Sequence, residues 1–131
     1  MKTLLLLFLL FLPSACAEEV SHDEKLAMRR AVEFIETTFV RRNLDKGYAL
    51  LTDKVRAYVP FDKFTEKIAS IHRGGYPSKV TAVSVAAFKS EALVAVSLRG
   101  EGSGEQFEYS VTLAGHATTD YQVTTFNGRR R

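Results

Sequence analysis

The sequence predicts an α+β domain in which N-terminal helices pack on a curved antiparallel sheet. Three observations predict it. Apolar residues recur at three- and four-residue spacing through the first part of the chain, as far as the break His72-Arg73-Gly74-Gly75-Tyr76-Pro77. Beyond Pro77 the pattern changes to alternation rich in valine, threonine and aromatic residues. No repeat or low-complexity stretch divides the two halves, so one apolar core must serve both.

An export segment comes first. Lys2 precedes an unbroken apolar run from Leu4 to Leu12, and Pro13-Ser14-Ala15-Cys16-Ala17 follows it with mostly small residues. A basic start, a short apolar stretch and a small-residue exit are what a secretion signal requires. The run is well short of the ~20 apolar residues that span a bilayer. Two processing routes fit the junction. Cleavage after Ala15-Cys16-Ala17 gives a signal peptide over 1–17, a single domain over 18–128 and a basic tail over 129–131. Ser14-Ala15-Cys16 also resembles the end of a bacterial lipobox, with Pro13 where that motif usually carries leucine. By this route Cys16 is lipidated and tethers the chain to the outer membrane. Either route places the protein outside the cytoplasm, in the periplasm or secreted. Cys16 is the only cysteine, so the exported domain depends on its core and not on an internal disulfide.

The elements follow in order. Ser21-His22-Asp23-Glu24 reads as a capping box opening a first helix, with Leu26, Met28, Ala31, Val32, Ile35 and Phe39 at helical spacing. Asn43 caps a shorter second helix through Tyr48 and Leu51, and the chain from Thr52 to Pro60 reads as irregular. Phe61, Phe64, Ile68 and Ile71 give a third helix with one apolar face. Strands are expected over Val80–Phe88, Ala92–Arg99, Phe107–Leu113 and Tyr121–Phe126, with Gly100–Gly104 as a flexible hairpin loop.

This order resembles the cystatin-like, nuclear-transport-factor-type cone fold, which includes ketosteroid isomerases, polyketide cyclases and many small exported bacterial proteins. The resemblance rests on Ala31-Val32-Glu33-Phe34 in a long first helix, Tyr48-Ala49-Leu50-Leu51 in a short second one, Pro60-Phe61-Asp62-Lys63-Phe64 opening a third, and Tyr121-Gln122-Val123 in the last strand. It implies a conical pocket between helix and sheet, and a habit of dimerising through the sheet. Tyr48, Tyr58, Phe61, Phe64 and Tyr76 are the candidate ligand-binding lining, able to hold a small apolar ligand with a tyrosine hydroxyl setting its orientation.

Catalysis finds little in the chain. An isomerase or cyclase of the ketosteroid-isomerase type needs a carboxylate base and an acid donor facing a pocket. Asp120 with His116 is the nearest approach, and both also read as turn residues. Glu108 sits on the strand face opposite Phe107 and Tyr109 and is expected to face solvent. His22, His72 and His116 lack metal-ligand spacing, and no cofactor motif is present. The formal net charge of +3 includes Lys2 in the export segment and predicts no bulk attraction to nucleic acid. Arg129-Arg130-Arg131 reads as a solvated tail available to anionic lipid headgroups or to an acidic chain start. The expectation is an exported, non-catalytic accessory domain of the cell envelope that binds a protein partner or a small apolar ligand, with a homodimer through the Ala92–Arg99 face.

Overall fold

Asp23, not Ser21, starts the first helix of the computed structural model, which describes residues 19–131. The export segment and the Cys16 lipidation site lie outside the described residues. The Asp23 carboxylate accepts from Leu26 N–H at 3.0 Å. Ser21 is held elsewhere, its carbonyl accepting from Ala117 N–H at 2.7 Å in the turn before the last strand. Helix α1 (Glu24–Ile35) buries Ala27, Ala31, Phe34 and Ile35. The expected stripe through Met28 and Val32 is therefore rotated, and these two residues are only half-buried.

A π-helical turn over Glu36–Val40 follows, with Arg41 N–H donating to Glu36 O at 2.8 Å. This five-residue step turns Thr37, Thr38 and Phe39 inward. Asn43 then caps α2 (Leu44–Ala49) as its position predicts, accepting from Lys46 N–H at 3.2 Å. The segment read as irregular contains a short helix α3 (Asp53–Tyr58), capped by Thr52 Oγ1 accepting from Val55 N–H. No residue of α3 is fully buried, so the segment carries no apolar periodicity to read. Helix α4 (Phe61–Ile71) buries Phe64 and Ile68.

The sheet is a four-stranded antiparallel meander, β1 (Lys79–Phe88), β2 (Leu93–Gly102), β3 (Glu105–Ala114) and β4 (Gln122–Arg130), in that spatial order. Helices α1 and α4 lie against it, the first reaching all four strands and the second β4. The architecture is thus the α+β arrangement predicted. Two expectations at the far end of the sheet are corrected. β2 runs on to Gly102 and β3 begins at Glu105, so the glycine-rich stretch is mostly strand. The turn is Ser103-Gly104, with φ of 53° and 76°, the left-handed pair that matches the twist of a tight hairpin. Arg129 and Arg130 are no free tail: they pair in register with Glu108 and Phe107, and Arg131 N–H donates to Gln106 O at 2.8 Å.

The core is an aromatic interlock. Phe34 meets Phe126 at 5.1 Å between ring centroids, and Phe126 meets Phe64 at 5.7 Å, both edge-on. Phe39 contacts Tyr109 at 5.1 Å and His72 at 4.7 Å. Val94, Val96, Leu98, Val111 and Leu113 complete the floor from β2 and β3. Each such edge-on pair adds about 0.5–1.5 kcal/mol beyond the area it buries.

Gly47 is buried where α2 crosses the π-helical turn, and a Cβ there would sit 2.3 Å from Thr38 Oγ1. Gly47→Ala is expected to lower stability by about 1–3 kcal/mol despite the better helix propensity of alanine. Thr38→Ala in the same chain should recover much of that loss, because the new methyl occupies the space vacated. Thermal midpoints of the two single variants and the double variant check this; additive losses would show that the contact does not limit the position.

Candidate functional site

Alternation along the strands divides the sheet into two chemically distinct faces. Val96, Leu98, Phe107, Tyr109, Val111 and Phe126 point to the helices. Their neighbours Ser97, Arg99, Glu108, Ser110, Asn127 and Arg129 therefore point outward, and with Val83 they line a groove of about 540 Å³. Val83 is the extra residue of a bulge in β1, where Ala82 and Ser84 oppose Leu98 and Ser97. It is 56% exposed and forms one apolar wall.

Charge in this groove is organised around Glu108. Arg129 donates to Glu108 Oε2 from Nε at 2.8 Å and from Nη2 at 2.7 Å, and Arg131 Nε stands 3.3 Å from Oε1. The Arg129 hydrogen bond, with the charges of Arg129, Arg131 and Arg99, holds the carboxyl below its ordinary range. Arg99 is the cross-strand neighbour of Glu108, yet among the described residues its guanidinium has neither a hydrogen bond nor an ion pair. Glu108 is accordingly half-covered by arginines and not a freely solvated residue. The sequence signal for this cluster is the outward alternation Ser97, Arg99 against Leu98. Which residues of the other strands meet Arg99 depends on register, which the local sequence does not state.

The five predicted lining residues do not form one site. Tyr48 and Phe61 lie 5.4 Å apart, Tyr48 and Phe64 also 5.4 Å, so these three make a cluster. The Tyr48 hydroxyl donates to Val59 O and to Arg56 O at 3.1 Å, which ties α2 to the end of α3. Phe64 belongs to the core, whereas Tyr58 is 80% exposed. Tyr76 lies apart from that cluster, stacked on His72 at 4.8 Å with the Arg42 guanidinium 4.9 Å from its centroid. The space between helices and sheet is occupied by Phe34, Phe39, Phe64, Phe107 and Phe126.

One buried polar pair sits in that interior. His72 Nδ1 faces Gly75 O at 2.9 Å, so this nitrogen carries the proton. Nε2 is then the acceptor for the Tyr109 hydroxyl at 3.1 Å. Burial pushes the His72 imidazole below its ordinary value, against the Gly75 hydrogen bond and with the help of Arg130. Burial likewise raises the Tyr109 phenol. Phe39, Tyr76 and Phe107 pack around the imidazole. The pair is a neutral structural bridge from the end of α4 to β3.

Asp120 and His116 do not engage each other. Asp120 Oδ1 accepts from Arg30 Nε at 2.8 Å, and that bond holds its carboxyl below the ordinary range. His116 Nδ1 lies 2.9 Å from Thr118 Oγ1 within its own turn. Among the described residues no cluster of three His, Cys, Asp or Glu is placed to hold a metal, and no helix is long and apolar enough to cross a membrane. No protein-family model matches the sequence, and a search of curated proteins finds no significant match.

The His72 environment has a pH consequence. The unfolded chain binds a proton on this imidazole near the ordinary histidine value of 6.5 while the folded chain resists it. Unfolding therefore takes up a proton, and stability rises with pH across this window. The contribution is fully present above about 6.5 and is lost as pH falls from there through the lowered folded value. The thermal midpoint of the wild-type protein should drop between pH 7 and pH 5. His72→Gln should be less stable at pH 7 but flatter over the same range; an unchanged slope would assign the pH response to other groups.

Proposed function

We propose that this protein is an exported binding domain of the cell envelope that docks an acidic segment of a protein partner on the outer face of its sheet. The observation that carries this reading is Arg99, a groove cation without an ion-pair partner among the described residues, beside a carboxylate already held by Arg129 and Arg131. A guanidinium beside the hydroxyls of Ser97 and Ser110 offers the donors that an incoming carboxylate requires. Glu108 repels a dense polyanion while tolerating a single carboxylate bridging Arg99 and Arg129. Val83 supplies a wall for an aliphatic neighbour.

A protein partner draws more support than a small apolar ligand. The aromatic residues that would line an interior pocket spend their surfaces on one another. The order and size of the elements support the cystatin-like, nuclear-transport-factor-type cone as the fold family, and the apolar run before Cys16 supports export. The isomerase or cyclase reading rests on Asp120 with His116, and these bond Arg30 and Thr118 instead of each other; the buried His72–Tyr109 pair is enclosed by aromatic rings.

Fluorescence anisotropy with a labelled short peptide carrying one glutamate beside a leucine tests this reading. The wild-type protein should bind at low salt and weaken as salt is raised. Arg99→Glu should weaken binding by at least about tenfold while its circular dichroism melt stays close to wild type. Unchanged affinity in Arg99→Glu, or no binding of the peptide even at low salt, would overturn the proposal.

A further inference from the structure

The two edges of the sheet are treated differently. On the β4 edge, Leu50 to Thr52 bridge onto Val123, with Thr52 N–H donating to Val123 O at 2.9 Å and Val123 N–H to Leu50 O at 3.0 Å. Further along, Lys67 Nζ reaches Phe126 O at 2.6 Å. β1 is the other edge strand, and its far end is tied by Val20 N–H to Lys89 O at 2.8 Å and by His22 Nε2 beside Phe88 O. From Val80 to Ala87 no described residue outside the sheet hydrogen-bonds to the strand. Natural edge strands carry charges or prolines that discourage pairing. Lys79–Phe88 has one charge, at its first residue, no proline, and a bulge at Val83. Val83 and Phe88 are 56% and 45% exposed. A bulge also blunts an edge, so the template left for another strand is the stretch on either side of Val83.

Beside this open edge lies a second groove of about 560 Å³, where α1 and the π-helical turn run next to Ala82 of β1. Its floor is Met28 and Val32, half-buried residues at the margin of the core. Its charges are ordered along the helix. Along α1, Lys25 and Arg29 stand toward the start and Glu33 and Glu36 toward the end, with Met28 and Val32 beside the inner pair, and Arg41 lies past the π-helical turn. Of these five charged residues, only Glu33 has an ion pair among the described residues, to Arg30 at 2.8 Å.

We infer that this edge joins a second copy of the chain about a two-fold axis, with β1 antiparallel to its equivalent and α1 antiparallel beside the equivalent helix. From Lys25 and Arg29 to Glu33 and Glu36 the helix runs from basic to acidic beside Met28 and Val32, an order complementary to itself when turned by a two-fold. Lys25 and Arg29 then face Glu36 and Glu33 of the other copy, Met28 and Val32 meet at the centre, and the open edge of β1 is paired. A wholly acidic or wholly basic partner satisfies half of these charges, and a membrane surface satisfies none of the strand edge. This interface is distinct from the outer-face groove, so the two proposals stand or fall separately. It also replaces the expected contact through the Ala92–Arg99 face with one at the sheet edge.

Sedimentation equilibrium over a concentration series tests the inference through charge reversals on exposed positions. The wild-type chain should be in monomer–dimer equilibrium. Lys25→Glu places two like-charged pairs across the axis and should weaken association by at least about tenfold, as should Glu36→Lys. Mixing these two single variants should restore a dimer, because each supplies the charge that the other now needs. The Lys25→Glu, Glu36→Lys double variant should restore it too. A wild-type chain that remains monomeric to about 1 mM overturns the proposal. So does a dimer that survives both single reversals, or a mixture that associates no better than its parts. Circular dichroism melts confirm that each variant folds.

Discussion

The five-residue step from Phe34 to Phe39 is the constraint on which the rest of the structure depends. A regular α-helix would place these two rings about 140° apart around its axis. The π-helical turn at Glu36–Val40 adds a residue to that turn and brings both to the same side. Phe34 then locks onto Phe126 of β4, and Phe39 onto Tyr109 of β3 and His72 at the end of α4. One continuous helical rod thereby fixes the sheet below it and the last helix beside it. The same step explains why Thr38 is buried and why only glycine fits at position 47 opposite it. A π-helical turn is an unusual conformation, and it persists here because the aromatic contacts on both sides over-determine it.

The filled interior is why the proposed recognition lies on the surface. The rings of Phe34, Phe39, Phe64, Phe107 and Phe126 occupy the space where a cone fold would otherwise hold a ligand. What remains open is of two kinds. On the outer face, β2 and β3 contribute small hydroxyl residues at Ser97 and Ser110, which leave depth for the arginines around Glu108. At the β1 edge, the rotation of α1 that buries Ala27 and Phe34 turns Met28 and Val32 to the side. Both surfaces follow from how the core is packed, since each consists of residues that alternate with, or are displaced from, core positions.

The sequence carried the architecture because periodicity and caps are local. Asn43 caps α2, Phe64 and Ile68 bury one face of α4, and the alternation from Phe107 to Leu113 is a half-buried strand. What it did not carry depends on partners distant in the chain. Ser21 and Asp23 compete as caps, and the contest is decided by Ala117 and Tyr121 holding the chain before the helix. Helix α3 is too short for a periodic signal, and Val55 is its one apolar residue on a covered side apart from the exposed Ala57 and Tyr58. Arg129 and Arg130 read as a tail until β3 supplies Phe107 and Glu108 opposite them. The five aromatic residues looked equivalent, yet the turn after Gly74-Gly75 sends Tyr76 to His72 while Tyr48 and Phe64 meet between helices. The outer-face groove was half legible: outward residues follow from alternation, but the meeting of Arg99, Glu108 and Arg129 is a matter of register.

The two proposed surfaces reinforce each other geometrically. A two-fold that pairs β1 with its equivalent runs perpendicular to a sheet that continues from one copy into the next. Both outer faces then lie on the same side of the doubled sheet, with the helices of both copies on the other. The grooves around Arg99 are therefore presented together and not back to back. A carboxylate held by an exposed arginine contributes little alone, because solvent and salt screen it. Two such sites on one rigid surface bind a partner carrying acidic segments at matching separation far more tightly, since the second contact forms at high effective concentration. Each proposed surface rests on its own observations, and together the proposed edge contact would supply the valency that an exposed, polar groove lacks on its own.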